Sequence, residues 1–149
     1  MRLQKNTSLA LFSVLEFASD PARHISAAEI AAKHGVSPHH LAKVLAELAR
    51  AGIVESVRGV GGGYRFIGNA RRLTLMDIIQ MFEDIAPRPA GSGSTAVERA
   101  LDTVLSEIDQ NAKATFGSIT LATMLRLIER QEAEAAAATS APARRRRAA

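Results

Sequence analysis

The N-terminal half of the chain contains two short helical segments separated by a connection of only three residues. The first segment begins at a capping box, in which Ser26 and Glu29 can each satisfy a free backbone N–H of the other. Gly35 ends that segment, and Ser37 followed by Pro38 has the pattern of a helix cap and the first residue of a new helix. Two short helices joined by a tight turn that contains glycine are typical of a helix-turn-helix.

The second helix of the pair is predicted over residues 38–51, with one apolar face and one polar face. Its apolar residues recur at helical spacing and are expected to face the core: Leu41, Val44, Leu45 and Leu48. An exposed helix face that is polar and basic near its N-terminus fits the major groove of DNA. The candidate contacts to base edges or phosphates are Ser37, His39, His40 and Lys43. An ordinary solvent-exposed helix face is the alternative.

A glycine-rich hairpin is predicted directly after this helix. Residues 53–57 and 64–67 have the composition of two short strands, and residues 58–63 form the turn between them. Because the turn has few side chains, its backbone can approach a phosphate ribbon or enter the minor groove, with arginines on either side supplying charge. The candidate contacts are Arg58, Gly61, Gly62, Gly63, Tyr64 and Arg65. A flexible hairpin without a ligand is the alternative, whereas the glycine spacing does not match a nucleotide-binding loop.

The C-terminal half is predicted to be helical and to form a dimer. Thr74 caps a helix that extends to about residue 84, a loop rich in Pro and Gly follows over residues 86–94, and Thr95 caps the longest helix. The apolar stripe of that helix is too extensive for a domain of this size to cover, so we expect a homodimer. The expected interface residues are Leu101, Val104, Leu105 and Ile108. Residues 133–149, rich in Ala and Arg, are expected to be disordered.

The charge of the chain differs between its halves. Residues 1–72 contain ten Lys/Arg and five Asp/Glu, whereas residues 73–132 contain five and nine. A basic first half favours a polyanionic partner such as nucleic acid, and a solvated basic surface is the alternative. The predicted fold class is therefore mostly α with a small β wing: a winged helix-turn-helix DNA-binding domain over residues 1–72, followed by a helical dimerisation region over residues 73–132.

Several kinds of site are disfavoured by what the sequence lacks. The chain has no Cys, which excludes disulfides, thiolate nucleophiles and Cys-ligated metals. His39 and His40 diverge on a helix and cannot share a metal, and no acid/base constellation suggests catalysis. We therefore expect no metal, no cofactor and no enzymatic activity. The apolar run over residues 9–17 is too short to span a bilayer, so a cytoplasmic protein without membrane contact is expected.

Several motifs of the chain resemble the Rrf family of winged-helix transcription regulators. The matching segments, with x for positions that the motif leaves open, are residues 1–3 (MRL), 29–31 (EIA), 35–44 (GVSxxHLxKV), 52–64 (GIVESVRGVGGGY), 73–79 (LxLxDII) and 119–121 (ITL). The resemblance implies a homodimer held by the long helix, acting on a pseudo-palindromic operator in double-stranded DNA, and we expect a repressor. Position by position, it implies that His39 and Lys43 read bases and that Arg58 enters the minor groove.

The chain departs from the cluster-bearing members of that family in and after the loop before the long helix. Those members carry three Cys there, and the resemblance places Ala96 at the last Cys position and Arg99 at the position of an accompanying His. Neither side chain binds iron. We therefore expect a DNA-binding regulator without an iron–sulfur cluster, which responds to an effector molecule, to a partner protein or to no signal at all. A winged-helix protein-interaction module with weak or no DNA binding remains the alternative.

Overall fold

The computed structural model of the protein describes residues 2–85 and 89–140. It is mostly helical with one small antiparallel sheet, as the sequence predicts. In chain order the elements are α1 (Lys5–Ser19), α2 (Ala27–His34), α3 (Pro38–Arg50), β1 (Val54–Val57), β2 (Gly63–Phe66), α4 (Leu75–Ile79), α5 (Ala96–Ser118) and α6 (Leu121–Ser140). Met1, residues 86–88 of the predicted loop and the arginines of residues 144–147 lie outside the described residues.

The helix-turn-helix forms from the local signals of its sequence. The backbone N–H of Glu29 donates to Ser26 Oγ at 3.1 Å, and the Glu29 carboxylate accepts from the Ser26 N–H at 2.8 Å. Gly35 ends α2 in the left-handed conformation with φ 63°, which glycine adopts without steric cost. Ser37 then caps α3 by accepting from the N–H of His40 at 3.3 Å, and Pro38 is the first helical residue. The capping box and the tight turn are confirmed.

The core is shared by both predicted regions of the chain. Its fully buried large side chains include Phe17 of α1, Ile30 of α2, and Leu41, Leu45 and Leu48 of α3. The same cluster contains three aliphatic side chains of α4 and the first residue of α6: Leu75, Ile78, Ile79 and Leu121. The division predicted at residue 72 therefore does not divide the core, and α4 and the start of α6 pack on the helix-turn-helix.

The hairpin after α3 is tied back to the start of the helix-turn-helix. Strands β1 and β2 pair antiparallel, with Val54 opposite Phe66. Ile25, just before α2, forms an isolated antiparallel bridge with Tyr64 of β2, in which Ile25 N donates to Tyr64 O at 2.9 Å and Tyr64 N donates to Ile25 O at 2.8 Å. This bridge adds a short third segment to the two-stranded sheet, so the wing is held against the residue that precedes α2.

The C-terminal helices differ in two respects from the expectations. Helix α4 ends at Ile79 rather than near residue 84, and hydrogen-bonded turns continue the chain to Glu83. The expectation of disorder from residue 133 is wrong for residues 133–140, because α6 continues to Ser140. Alanine has the highest helix propensity of all residues, so this Ala-rich segment continues α6 although its residues are exposed. Within residues 2–85 and 89–140, no helix is both long and apolar enough to cross a membrane.

Gly63 is predicted to be essential to the tie between the wing and the helix-turn-helix. A Cβ at this position would lie 2.6 Å from the carbonyl oxygen of Ile25, closer than real contacts allow. We expect Gly63→Ala to lower the free energy of unfolding by about 1–3 kcal/mol, as overpacking does. Gly117→Ala is the matched control, because a Cβ there meets nothing within 4 Å on an exposed helix position; it should stabilise the protein by about 0.5–1 kcal/mol. Urea unfolding followed by circular dichroism measures both, and equal stabilities for the two variants would contradict the account.

Candidate nucleic-acid interface

The exposed face of α3 carries two of the predicted base-reading residues. His39 and Lys43 are exposed, and Lys43 forms no ion pair among the described residues. Ala42 and Ala46 are exposed on the same helix, which the sequence analysis did not single out. Small side chains of this kind let a helix approach the groove closely and can contact a thymine methyl group. Ala42 and Ala46 lie at helical spacing from His39, so the sequence pattern alone could have placed them on the polar face of α3.

Two of the residues predicted on α3 have structural roles that limit their contact with DNA. The hydroxyl of Ser37 accepts the hydrogen bond that caps α3, so it is used within the fold. His40 is half-buried beside Met81 and Phe82, and its Nε2 is buried without a hydrogen-bond partner among the described residues. The part of the His40 ring that remains exposed is what a contact with DNA would use. The groove that His40 shares with Met81 and Phe82 joins α3 to the turns after α4, which the sequence of α3 alone does not reveal.

The turn of the wing presents an arginine and an apolar residue. Arg58 is exposed and forms no ion pair within residues 2–85 and 89–140, and Val60 at the tip is fully exposed. Gly59 and Gly61 on either side of Val60 have φ values of 105° and 75°, which only glycine adopts readily. The sequence analysis did not single out Val60, although a lone aliphatic residue within a glycine run is itself unusual.

Residues in the second half of the wing, which the sequence predicted as contacts to DNA, make contacts within the protein. Tyr64 is half-buried, and its ring lies 6.3 Å from that of Phe17 in a tilted arrangement. Arg65 forms an ion pair across the strands with Glu55. A Cβ on Gly62 would meet the Val57 carbonyl oxygen at 2.3 Å, so this glycine is needed for the turn itself. Of the predicted wing contacts, Arg58 is therefore the side chain that is exposed and unpaired.

Some Lys and Arg side chains of residues 1–72 form ion pairs with carboxylates, and others form none within the described part of the chain. Arg23, Lys33, Arg50 and Arg65 each pair with a carboxylate. Lys43 and Arg58 do not, and they lie on the two elements that a winged helix presents to DNA. Arg71 and Arg72, in the turn after β2, are exposed and also lack an ion pair among the described residues. An unpaired cation is the kind that can neutralise a phosphate without first giving up a carboxylate partner.

The loop before α5 is held by side chains of the first turn of that helix. The carboxylate of Glu98 accepts hydrogen bonds from Ser94 Oγ at 2.6 Å, Ser94 N at 2.8 Å and Thr95 N at 2.9 Å. The Ser94 hydroxyl and these backbone N–H groups hold the pKa of Glu98 below its ordinary value. Arg99 donates to the carbonyl oxygens of Gly93 and Ser94 at 3.4 and 3.2 Å. Residues 93–95 are thus held by hydrogen bonds of the protein's own groups.

The same loop does not have the chemistry of an iron–sulfur site. The chain contains no Cys, and iron–sulfur clusters take most of their ligands from Cys thiolates. Within the described part of the chain, no group of three or more His, Asp or Glu residues is placed to hold a metal ion. Arg99, at the position where the family resemblance suggests a His, donates to backbone carbonyls and offers no lone pair to a metal. The residues present do not fit a cluster.

Helix α5 leaves its predicted interface residues exposed. Its only buried residue among those described is Ser106. The four predicted side chains and Val97 are all exposed, with exposed fractions from 41% for Leu105 to 70% for Val97. The stripe comprises Val97, Leu101, Val104, Leu105 and Ile108. Large contiguous apolar surfaces of this kind are rare on monomeric proteins and mark interaction sites.

Comparison with known proteins agrees with this architecture. Residues 3–127 match the family described as "Rrf2: Iron-dependent Transcriptional regulator". The putative HTH-type transcriptional regulator BadM of Rhodopseudomonas palustris is 49% identical over 131 residues, which cover 87% of this chain and 84% of that protein.

Solved structures give the same result for the fold. CymR, the global cysteine regulator of B. subtilis, superposes with a TM-score of 0.72 at 26% identity, over 85% of this chain and 98% of that one. IscR of T. potens superposes with a TM-score of 0.67 at 27% identity, over 88% and 90% of the two chains. These relatives are regulators, so the protein is not an enzyme. With the family match extending over most of the chain, the protein belongs to the Rrf2 family of transcriptional regulators.

Proposed function

We propose that this protein is a sequence-specific DNA-binding repressor that acts as a homodimer on a pseudo-palindromic operator, without an iron–sulfur cluster. The observation that carries the proposal is the pair of exposed, unpaired cations, Lys43 on α3 and Arg58 on the wing, in a fold whose wing is tied to the helix-turn-helix. Repression requires only that the protein occupy its site, whereas activation would require a further surface for the transcription machinery.

The two elements are proposed to have different tasks. Helix α3 enters the major groove, where His39 and Lys43 can donate to base edges and the exposed alanines allow close approach. The wing follows the neighbouring backbone or minor groove, where Arg58 meets the strongly negative potential of a narrow groove. Base contacts give sequence preference, and contacts to the backbone give affinity and orientation.

The homodimer is proposed from the exposed stripe of α5. A second copy of the chain supplies an apolar surface of the same size, and two-fold dimers are the commonest closed arrangement. Leu127 of α6 is also exposed, and a shallow apolar patch surrounds it with Met124 and Ile128. Because α4 and the start of α6 pack in the same core as α3, a contact between two copies of α5 would set the spacing of the two recognition helices. A dimer with two-fold symmetry binds an operator made of two inverted half-sites.

The absence of a cluster is proposed from the ligands that the chain offers, although the description of the matching family refers to iron. Without Cys, neither a thiolate-bound cluster nor a thiol-based response to oxidants can form. The hydrogen bonds that Glu98 and Arg99 make to Ser94 and Thr95 hold the end of the loop next to α5 without a metal. The signal is then an effector molecule or a partner protein.

Leu105→Glu should convert the dimer to monomers, because it places a charge in the centre of an apolar interface. A monomer engages only one half-site, so we expect the affinity for an operator to fall by about 10²-fold or more. Gln110→Glu is the matched control: it adds the same charge to an exposed position on the opposite face of α5 and should leave both properties unchanged. Light scattering and fluorescence anisotropy measure the two effects. A wild-type protein that is monomeric at micromolar concentration would refute the dimer.

Lys43→Ala and Arg58→Ala should impair DNA binding in different ways. Each is expected to cost about 1–3 kcal/mol on the operator, but Lys43→Ala should also change base preference, whereas Arg58→Ala should weaken binding to all duplexes. Arg130→Ala, which removes an exposed cation of α6, is the control and should have no effect. Anisotropy titrations with operator and random duplex measure these losses. If both variants bind the operator like the wild type, the winged helix does not bind DNA in this way and the protein-interaction alternative is favoured.

A further inference from the structure

A cleft of about 290 Å³ lies between α1, the end of α2 and the C-terminal helix, and none of the DNA-binding candidates lines it. Residues of α1, the last two residues of α2 and two turns of α6 line it. Its apolar lining comes from Phe12, Leu15, Leu125 and Ile128, and its polar lining includes Glu16, Lys33, His34, Glu129 and Glu132. We call this the α6 cleft. Ligand sites commonly combine an apolar lining with a few convergent polar groups.

An imidazole with an unsatisfied nitrogen faces the protein interior at this cleft. His34 is the last residue of α2, and its ring stacks on that of Phe12 with the ring centroids 5.0 Å apart and the planes 14° apart. Its Nε2 is buried and makes no hydrogen bond to any described residue. Phe12 remains 46% exposed despite this stacking. The exposed part of the Phe12 ring is therefore the aromatic surface that the cleft offers to a ligand, whereas the buried Nε2 of His34 is closed to it.

The charges at the cleft favour a cation. Glu16 and Lys33 form an ion pair with each other. Glu129 and Glu132, three residues apart and therefore neighbours on one face of α6, form no ion pair within residues 2–85 and 89–140. The formal charge of the lining is negative whether or not His34 is protonated. The described residues offer no group of three that could hold a metal ion, so the geometry favours an organic cation.

We propose that the α6 cleft binds a small amphipathic cation, a primary amine with a compact apolar body. The ammonium would lie near Glu129 and Glu132, and the apolar body would cover Phe12, Leu125 and Ile128. The ring of His34 would border the ligand on the side of α2. This site is separate from the exposed residues of α3 and the wing.

The position of the cleft connects a ligand to the DNA-binding elements. Helix α2 is the first helix of the helix-turn-helix, and α6 begins where Leu121 N donates to Leu73 O at 2.8 Å. A cation that contacts both α2 and α6 stabilises the arrangement in which these two helices lie against the cleft. If the bound cation changes the affinity for DNA, then bound DNA changes the affinity for the cation by the same factor. This regulatory role rests on the proposed DNA binding, whereas binding of the amine does not.

Calorimetry on the full-length protein without DNA tests the site with three compounds that share one aromatic body: 2-phenylethylamine, the neutral 2-phenylethanol and the anion phenylacetate. We expect the amine to bind with a dissociation constant of about 1 mM, because a ligand with so few atoms can make only a few contacts. The alcohol and the carboxylate should bind at least about tenfold more weakly, because only the amine meets the free carboxylates. Equal affinity for the amine and the alcohol, or no binding of the amine, would overturn the proposal.

Variants that remove the charge of a side chain but keep its size test where the amine binds. Glu129→Gln and Glu132→Gln keep the side-chain size at exposed positions, so the fold should be retained; each should weaken amine binding about threefold and the double variant about tenfold. Glu107→Gln is the matched control, because it removes the same charge from an exposed position on α5 and should not change the affinity. Amine binding that survives in the double variant, or that falls equally in the control, would place the ligand elsewhere. Because no DNA is present, either result is independent of whether the protein binds an operator.

Discussion

The two hydrogen bonds between Ile25 and Tyr64 fix the wing relative to the helix-turn-helix, and the placement of Arg58 depends on them. A two-stranded hairpin alone is marginally stable in water. Here the bridge adds a third strand-like segment, the absence of a side chain at Gly63 lets the backbones approach, and the ring of Tyr64 packs near Phe17 in the core. A wing fixed in this way can present its turn at a constant distance from α3, as the simultaneous reading of two grooves requires.

The same core that supports α3 also supports the segment that leads to α5. Leu75, Ile78 and Ile79 of α4 and Leu121 of α6 lie in one cluster with Leu41 and Leu45 of α3. Interiors this closely packed transmit displacement instead of absorbing it. We therefore propose that a ligand in the α6 cleft, or a dimer contact of α5, acts on α3 through this shared core.

The sequence predicted the features that depend on neighbouring residues and missed those that depend on distant ones. Capping boxes, the Gly35 turn and the apolar stripes of α3 and α5 are local patterns, so their positions could be read directly. His40 shares a groove with Met81 and Phe82, and Tyr64 lies against Phe17 and pairs with Ile25. No pattern within either segment specifies these neighbours. The helical residues 133–140 were missed because the Ala- and Arg-rich composition of residues 133–149 suggested disorder, whereas the alanines favour helix.

The protein is proposed to read a two-fold symmetric DNA sequence without iron. Duplexes can be selected from a random library with chelator-treated protein and then sequenced. We expect an enriched motif made of two inverted half-sites whose centres lie about one helical turn or a multiple of it apart, obtained equally with and without the chelator. A library that yields no enriched motif, a motif without inverted symmetry, or enrichment only when iron is present would contradict this proposal.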